Sequence, residues 1–342
     1  MSMFRPNRRD FLRTGALAGA ALTVPSLVKK AGATTLVETE YFDLTASSAE
    51  FIRNVQLHQT TGAPQSFAWN GGDSLYVLQT LNDANGDMTF TRLDPTTHDE
   101  TGYMTLTGAG HGVAMGIDNN GSGADYYWTE SEEATSGTGT CRGRKLQRFN
   151  FSSGATYSHS DCEVFDPTIH LEGTTQWQVT CSIDQKYGRI AVRYAKQQEG
   201  GSLYYNLYDL ADFNNHTYSP YFSASVKQPS TPSGAGVSQG WCLFGSWIYM
   251  LWGNKESAHC PGTQQDSVNG GTMVGRFSLN DNSAWTASNT AAAYTLCDRE
   301  PEGVGIRKSG SSYQLHLGFS GNSSGSGAHY FSTYYKDVLV GP

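Results

Sequence analysis

The segment QGWCLF at positions 239–244, with WIYML after it at positions 247–251, gives the clearest indication of the fold. In this segment a polar residue precedes a short apolar strand, and a turn then leads into a second strand rich in aromatic residues. Strands favour β-branched and aromatic side chains, and no helical period of 3.6 residues competes with this pattern. The two segments therefore predict a β-hairpin.

The same pattern occurs five times along the chain, about every 45–65 residues, which indicates a repeat architecture. The other four copies are QSFAW with LYVL (65–69 and 75–78), HGVAM with YYW (111–115 and 126–128), QVTCSI with IAV (178–183 and 190–192), and EGVGI with YQLHL (302–306 and 313–317). A further strand follows each hairpin. Repeats of about four strands predict an all-β fold, a five-bladed β-propeller. A β-sandwich or jelly roll with accidental similarity between segments is the competing interpretation.

The two ends of the repeat array are incomplete. The last copy ends at residues 330–340, short of a full blade, whereas the apolar segments 41–44 and 51–57 precede the first copy. We expect the N-terminal segment to supply the missing outer strand. Pairing of N- and C-terminal strands would then close the ring and remove two exposed sheet edges.

Residues 1–33 predict a twin-arginine signal peptide, and residues 34–342 a single propeller domain. Arg8 and Arg9 precede Asp-Phe-Leu, a mild apolar run follows at 16–24, and Ala-Gly-Ala at 31–33 offers a small-residue cleavage site. The apolar run is about half the ~20 residues that a membrane-spanning helix needs. We therefore expect a secreted, extracellular protein without a membrane span, acting as a monomer.

The charge balance argues against nucleic acid as a partner. The whole chain has 23 basic and 31 acidic residues, and residues 1–33 hold six of the basic and one of the acidic ones. The remaining 17 basic and 30 acidic residues give a net charge of −13, which repels a polyanion.

Export would permit disulfides among the six cysteines. Cys141 with Cys162, and Cys260 with Cys297, each bracket a predicted hairpin region and are the expected pairs. Cys181 and Cys242 lie within apolar strands, which predicts buried thiols. No spacing of cysteine and histidine suggests zinc, and no metal site is expected.

The start of each inner strand should face the channel of a propeller. This alignment brings together five residues that we call the polar ring: Gln65, His111, Gln178 (or Thr180), Gln239 and Glu302. Amide, imidazole and carboxyl groups donate and accept hydrogen bonds, as sugar recognition requires. Channel water and mutual contacts would satisfy the same groups in a purely structural ring. As candidate catalytic residues we single out His111, with a reference pKa near neutrality, and Glu302.

Further candidate ligand-binding residues are Arg193, Arg299 and Glu130, which we expect at strand ends where loops open to solvent, and Trp177 and Trp252, which we expect at loop ends. An arginine would hold an anionic group bidentately, or form a salt bridge to a neighbouring acid, and a tryptophan would stack on a sugar face. The segment DANGD at 83–87 resembles the start of a calcium loop but lacks the distal glutamate. We therefore predict an ordinary turn and no cofactor, with calcium as the weaker alternative.

Several of these segments resemble a known propeller family. They are MTL at 104–106 leading to GAGHGV at 108–113, YWTE at 127–130, TCSID at 180–184 with IAVRY at 190–194, QG at 239–240 and REPEG at 299–303. The family unites teichoic-acid biosynthesis protein C-like proteins, helveticin J-like bacteriocins and phage receptor-binding or baseplate proteins. The resemblance covers nearly all of residues 34–342. It implies a five-bladed propeller that recognises cell-surface or wall glycans, without a defined catalytic activity.

Three functions remain open from the sequence. The leading hypothesis is a secreted, lectin-like module that binds glycans of cell envelopes. The second is a carbohydrate-active enzyme, a polysaccharide lyase or glycoside hydrolase, with His111 as acid or base. The third is an interaction propeller that uses its rim. Motifs of serine hydrolases, zincins and nucleotide-binding enzymes are absent.

Overall fold

The computed structural model describes residues 36–71, 74–119, 125–135, 141–167, 176–196, 201–255, 271–322 and 328–342. The predicted signal peptide lies outside these ranges. Within them, no helix has the length and apolar character needed to cross a membrane.

The described chain folds as a five-bladed β-propeller, which confirms the predicted fold class. Before the first blade lie β1 (Tyr41–Phe42) and β2 (Ala49–Gln56). The first blade contains β3 (Pro64–Asn70), β4 (Ser74–Asn82), β5 (Asp87–Leu93) and β6 (Glu100–Thr107). The second contains β7 (Gly116–Asn119), β8 (Asp125–Thr135), β9 (Cys141–Phe149) and, after β10 (Thr156–Ser158) and a 3₁₀ turn (His159–Asp161), β11 (Glu163–Phe165).

The remaining blades follow in chain order. The third contains β12 (Gln176–Asp184), β13 (Arg189–Lys196), β14 (Ser202–Asp209) and, after α1 (Leu210–Asn214), β15 (Val226–Lys227). The fourth contains β16 (Val237–Phe244), β17 (Trp247–Gly253), β18 (Met273–Ser278) and β19 (Thr286–Asn289). The fifth contains β20 (Glu300–Ser309), β21 (Ser312–Asn322) and β22 (His329–Lys336), and β23 (Leu339–Val340) ends the chain.

The ring closes through its two termini, as predicted. β2 pairs antiparallel with β22, so that the fifth blade has the order β2-β22-β21-β20. Ile52 of β2 is fully buried opposite Thr333. A second short pair joins β1 to β23, with Tyr41 opposite Val340. The edge strand of the last blade is therefore covered by the beginning of the domain.

Apolar side chains between neighbouring blades form the core. Within a strand, successive side chains point to opposite blades, as in β12, where Val179 and Cys181 pack with Trp128 of the second blade. Cys181 and Cys242 are buried thiols, as predicted, and burial raises the pKa of both.

The predicted Cys141–Cys162 disulfide is wrong. Glu163 pairs with Arg148, so Cys162 lies beside the end of β9, whereas Cys141 begins that strand. Eight residues of strand separate two such positions by roughly 26 Å, far beyond the ~7 Å limit between the Cα atoms of a disulfide. The described cysteines form no disulfide with one another. The predicted Cys260–Cys297 pair stays a prediction, because Cys260 lies outside the described residues.

Candidate functional site

Four residues of the polar ring occupy equivalent irregularities in the inner strands. The pairing with the second strand shifts between Pro64 and Ser66 in β3 and between Ser238 and Gly240 in β16. It shifts in the same way after Trp177 in β12 and after Pro301 in β20. The residues inside these β-bulges include Gln65, Gln178, Gln239 and Glu302. A bulge re-aims a side chain and recurs beside functional sites, so the structure gives the four predicted positions a common local geometry.

Three consecutive bulges touch one another through their backbones. A Cβ atom on Gly240 would lie 2.6 Å from the Cα atom of Gly303, and one on Gly303 would lie 3.0 Å from the Cα atom of Ser66. Only glycine permits this approach, since Gly303 also has a φ of +86°. The contact brings together the segments that carry Gln239, Glu302 and Gln65.

Glu302 is a buried acid whose carboxyl group no residue in the described ranges hydrogen-bonds. Only 3% of the residue is exposed. Burial, reinforced by the neighbouring Glu300, raises its pKa well above the usual range, and Lys255 opposes the shift. The neutral form is thereby favoured, and a neutral carboxyl group can both donate and accept a hydrogen bond.

His111 is held by a carboxylate of the neighbouring blade. Its Nδ1 lies 2.5 Å from Oδ1 of Asp83, which belongs to the turn between β4 and β5. Burial and the charge of Arg142 lower the pKa of His111, against opposing contributions from Asp83 and Glu130. A neutral imidazole that donates Nδ1–H to Asp83 leaves Nε2 as an acceptor. The sequence did not reveal Asp83 as the partner, because the contact joins two blades.

Glu130 does not face solvent, contrary to the sequence-based expectation. It is fully buried, and its oxygens accept the backbone N–H groups of Gly112 at 2.9 Å, Gly143 at 2.7 Å and Val113 at 3.3 Å. The carboxylate therefore shapes the loop that presents His111.

The two arginines predicted at open strand ends are also buried. Arg299 is 1% exposed, and its Nη1 donates to the carbonyl of Ala292 at 2.9 Å. Arg193 is 5% exposed, with its Cζ 5.4 Å from the centre of the Trp241 ring. The indole Nε1 of Trp241 donates to Thr180 Oγ1 at 3.0 Å. Of the two aligned residues in β12, Gln178 lies within the bulge, whereas Thr180 pairs regularly with Arg193.

Trp252 is not a sugar platform. It is fully buried and meets Trp285 edge-on, with the ring centres 4.7 Å apart. The apolar indole completes the core of the fourth blade. The strand pattern in the sequence did not show whether Trp252 occupies a core position or a loop end. The side chain of Trp177 lies outside the described part of the chain, so its predicted role stays a prediction.

A cavity of about 280 Å³ lies in the channel, away from the polar ring. All five blades contribute to its lining, which includes Ala68, Ile117, Ile183, Leu243 and Ile306. No residue of the polar ring lines it. These lining residues follow the ring residues by three to six positions in each blade, so the cavity, which polar residues such as Asp184 and Lys308 also line, and the polar ring occupy different levels of the channel. The sequence analysis did not anticipate this cavity.

The DANGD segment forms a turn whose oxygens contact the second blade. Asp83 holds His111, Asp87 Oδ1 accepts the N–H of Gly108 at 3.0 Å, and the carbonyl of Gly86 accepts those of Ala109 and Gly110. Over the described residues, no group of three or more His, Cys, Asp or Glu side chains could hold a metal ion.

Comparison with known proteins supports the fold. No protein family model and no curated protein sequence matches the chain. The tail fiber of Staphylococcus aureus phage P68 is similar with a TM-score of 0.58 and 18% identity, over 83% of this chain and 52% of the fiber chain. The chain thus spans about half the length of that fiber.

Two solved glycoside hydrolase structures show a weaker likeness. The catalytic domain of the Coprinopsis cinerea GH62 α-L-arabinofuranosidase gives a TM-score of 0.45 and 10% identity, over 86% of this chain and 99% of that one. The Xanthomonas citri GH43_1 enzyme, complexed with xylose, gives a TM-score of 0.46 and 10% identity, over 86% of this chain and 94% of that one. At such identities the likeness concerns the fold alone.

Proposed function

We propose that this protein recognises glycans through the polar ring at one mouth of its channel. The observation that carries the proposal is the common β-bulge, which re-aims Gln65, Gln178, Gln239 and Glu302 in four of the five inner strands. A mixture of amide and carboxyl groups around one opening suits the hydroxyl groups of sugars, which both donate and accept hydrogen bonds.

The resemblance to the propeller family noted above supports the same function. The segments that carry it include His111 and Glu302. We also propose that residues 1–33 direct export, so that the protein meets its glycans as a monomer outside the cell. Binding of cell-envelope glycans is the form of the proposal that the family resemblance favours.

A carbohydrate-active enzyme is the second candidate, and the His111–Asp83 contact favours it. A neutral imidazole oriented by a carboxylate is a competent base, and Glu302 in its neutral form is a competent acid. A glycoside hydrolase mechanism needs two free carboxyl groups. Asp184 and Glu130 do not provide the second one, because backbone N–H groups occupy both. A polysaccharide lyase with His111 as base is therefore the better enzyme hypothesis.

A glycan array with the wild-type protein and the variants Glu302→Gln and His111→Ala tests both functions. We expect wild-type binding, and at least a tenfold weaker signal for Glu302→Gln, with glycans intact after incubation. His159→Ala, an exposed residue at the outer edge of the second blade, is the control and should bind normally. Cleavage that disappears in His111→Ala would establish the enzyme instead. Glycan binding that is equally strong in the wild type, Glu302→Gln and His111→Ala would contradict a site at this mouth.

A further inference from the structure

The channel cavity of about 280 Å³ has aliphatic side chains in its depth and polar side chains at its rim. Its lining begins within the inner strands, where Ala68, Ile183 and Ile306 are covered only in part by neighbouring blades. The lining ends at or beside the turns that follow these strands, where Asn119 and Lys308 are exposed. Because the polar-ring residues precede the lining residues in every blade, the cavity opens at the mouth opposite the polar ring.

One strand of the fifth blade carries both kinds of lining in a single row. Val304, Ile306 and Lys308 alternate along β20, so their side chains share one side of the strand, with ~6.7 Å between successive members of the row. All three residues line the cavity. A molecule that lies along this row meets Val304 and Ile306 with the part that is deepest in the channel, and Lys308 with the part that is nearest to solvent. The row therefore suits an amphipathic molecule.

The charges at the rim favour an anionic head group. Lys308 is exposed and forms neither an ion pair nor a side-chain hydrogen bond with any residue in the described ranges. Lys186, the other lysine of the lining, donates to Glu40. Asp184, the one carboxylate of the described lining, is occupied by three backbone N–H groups. The ammonium group of Lys308 is therefore the free charge at this rim, and it is complementary to an anion.

We propose that the channel cavity binds a small amphipathic anion, with its single anionic head at Lys308 and its apolar body between Ala68, Ile183 and Ile306. This site is separate from the polar ring and goes beyond the proposed glycan function. A cavity of about 150 Å³ holds benzene, so one of about 280 Å³ suits a body of roughly ten carbon atoms. The half-buried walls are aliphatic, which favours a hydrocarbon body over a sugar ring that needs aromatic faces and many hydrogen bonds.

The test uses octanoate, octyl sulfate, octan-1-ol and octylamine, which share a chain and differ in the head group. Titration calorimetry measures their binding to the wild-type protein. We expect at least one of the two anions to bind tenfold or more tightly than octan-1-ol, and octylamine to bind more weakly than the alcohol. The butyl homologue of the preferred anion should bind at least tenfold more weakly, because it buries four fewer CH₂ groups. Lys308→Gln should remove the advantage of the anion and leave binding of octan-1-ol unchanged.

Two further variants locate the site. Ala68→Leu extends a side chain into the cavity and should weaken binding of every octyl compound tenfold or more. Lys227→Gln is the matched control for Lys308→Gln, because Lys227 is an exposed lysine on the outermost strand of the third blade, and it should bind like the wild type. Thermal unfolding checks that each variant is folded, and if Ala68→Leu is not, the exposed Lys308 carries the test.

Three outcomes would overturn the proposal. They are equal binding of the anions and octan-1-ol, undiminished binding of the anion in Lys308→Gln, and absence of binding by every octyl compound. None of them affects glycan recognition at the polar ring, which the glycan array tests separately.

Discussion

Buried acids near the channel differ in whether backbone N–H groups already donate hydrogen bonds to their carboxyl groups. Asp184 accepts the N–H groups of Lys186 and Tyr187 at 2.9 and 3.2 Å, and burial raises its pKa to about 6. Glu130 similarly serves the loop that carries His111. Glu302 lacks such donors among the described residues, so its burial favours the neutral acid. Among these three carboxyl groups, Glu302 is therefore the one that no backbone N–H group of the described residues occupies.

Glu302→Gln should stabilise the protein at alkaline pH. The pKa of Glu302 lies higher in the folded than in the unfolded state, so the folded state binds the proton more tightly and wild-type stability decreases as pH rises above the unfolded pKa of about 4.3. Glutamine removes this penalty. We expect a gain of about 1 kcal/mol at pH 8, or roughly 2–4 °C in Tm, and no gain at pH 4.

Thermal unfolding from pH 4 to pH 8 measures this difference. The exposed Glu38, changed to glutamine, serves as the control and should follow the wild type throughout. A Glu302→Gln variant that is less stable than the wild type at pH 8 would show that the ionised carboxylate is favoured by its surroundings.

At the scale of elements, the bulged inner strands position the site. Each bulge interrupts an otherwise regular hairpin near the start of the strand, and the bulges of the fourth, fifth and first blades meet through Gly240, Gly303 and Ser66. The regular remainder of each strand packs between blades. The regular strands thus hold irregular segments that carry polar residues.

Gly303→Ala should destabilise this contact between bulges more than an equally strained substitution elsewhere. Gly154 has a similar φ of +80°, but a Cβ atom added there would have nothing within 4 Å, whereas a Cβ on Gly303 meets the Ser66 backbone at 3.0 Å. We expect a loss of about 1 kcal/mol for Gly154→Ala from backbone strain and about 3 kcal/mol for Gly303→Ala. Denaturant unfolding measures both. Equal losses would mean that the blades separate easily at this point.

At the scale of the whole molecule, the ring is closed by its termini and needs no disulfide among the described cysteines. β2 and β22 are more than 270 residues apart in sequence, so the closing pairs form only when the whole domain is present. A protein that closes in this way suits an export route that carries folded chains, which is the route that residues 1–33 predict.

Replacing both Arg8 and Arg9 by lysine should therefore block export. The twin-arginine pair is the part of the signal on which the prediction depends, so the variant should accumulate in the cell with its N-terminus intact. The exported wild-type protein should begin near Thr34, which N-terminal sequencing determines. Arg5→Lys is the control and should be exported normally. Export of the double variant would contradict the predicted route.

Local patterns in the sequence were enough to predict the strands, the five-fold repeat and the ring closure, whereas His111, one of the five aligned polar-ring residues, lies in the loop before β7 and not in a bulge. These features depend on alternation and on repeats within short segments, which are local properties of the chain. The same local pattern could not separate a buried Trp252 or Arg299 from an exposed one, since both lie beside apolar strands.

Which candidates meet, and which are already occupied, became known from the tertiary structure alone. The contacts His111–Asp83 and Trp241–Thr180 join residues 28 and 61 positions apart, on different blades. The same is true of Arg193 on the ring of Trp241. Such contacts depend on how neighbouring blades pack, and the periodicity of a single strand carries no information about its neighbour. The physical reason is that burial and hydrogen-bond saturation are properties of the assembled blades, not of any one repeat.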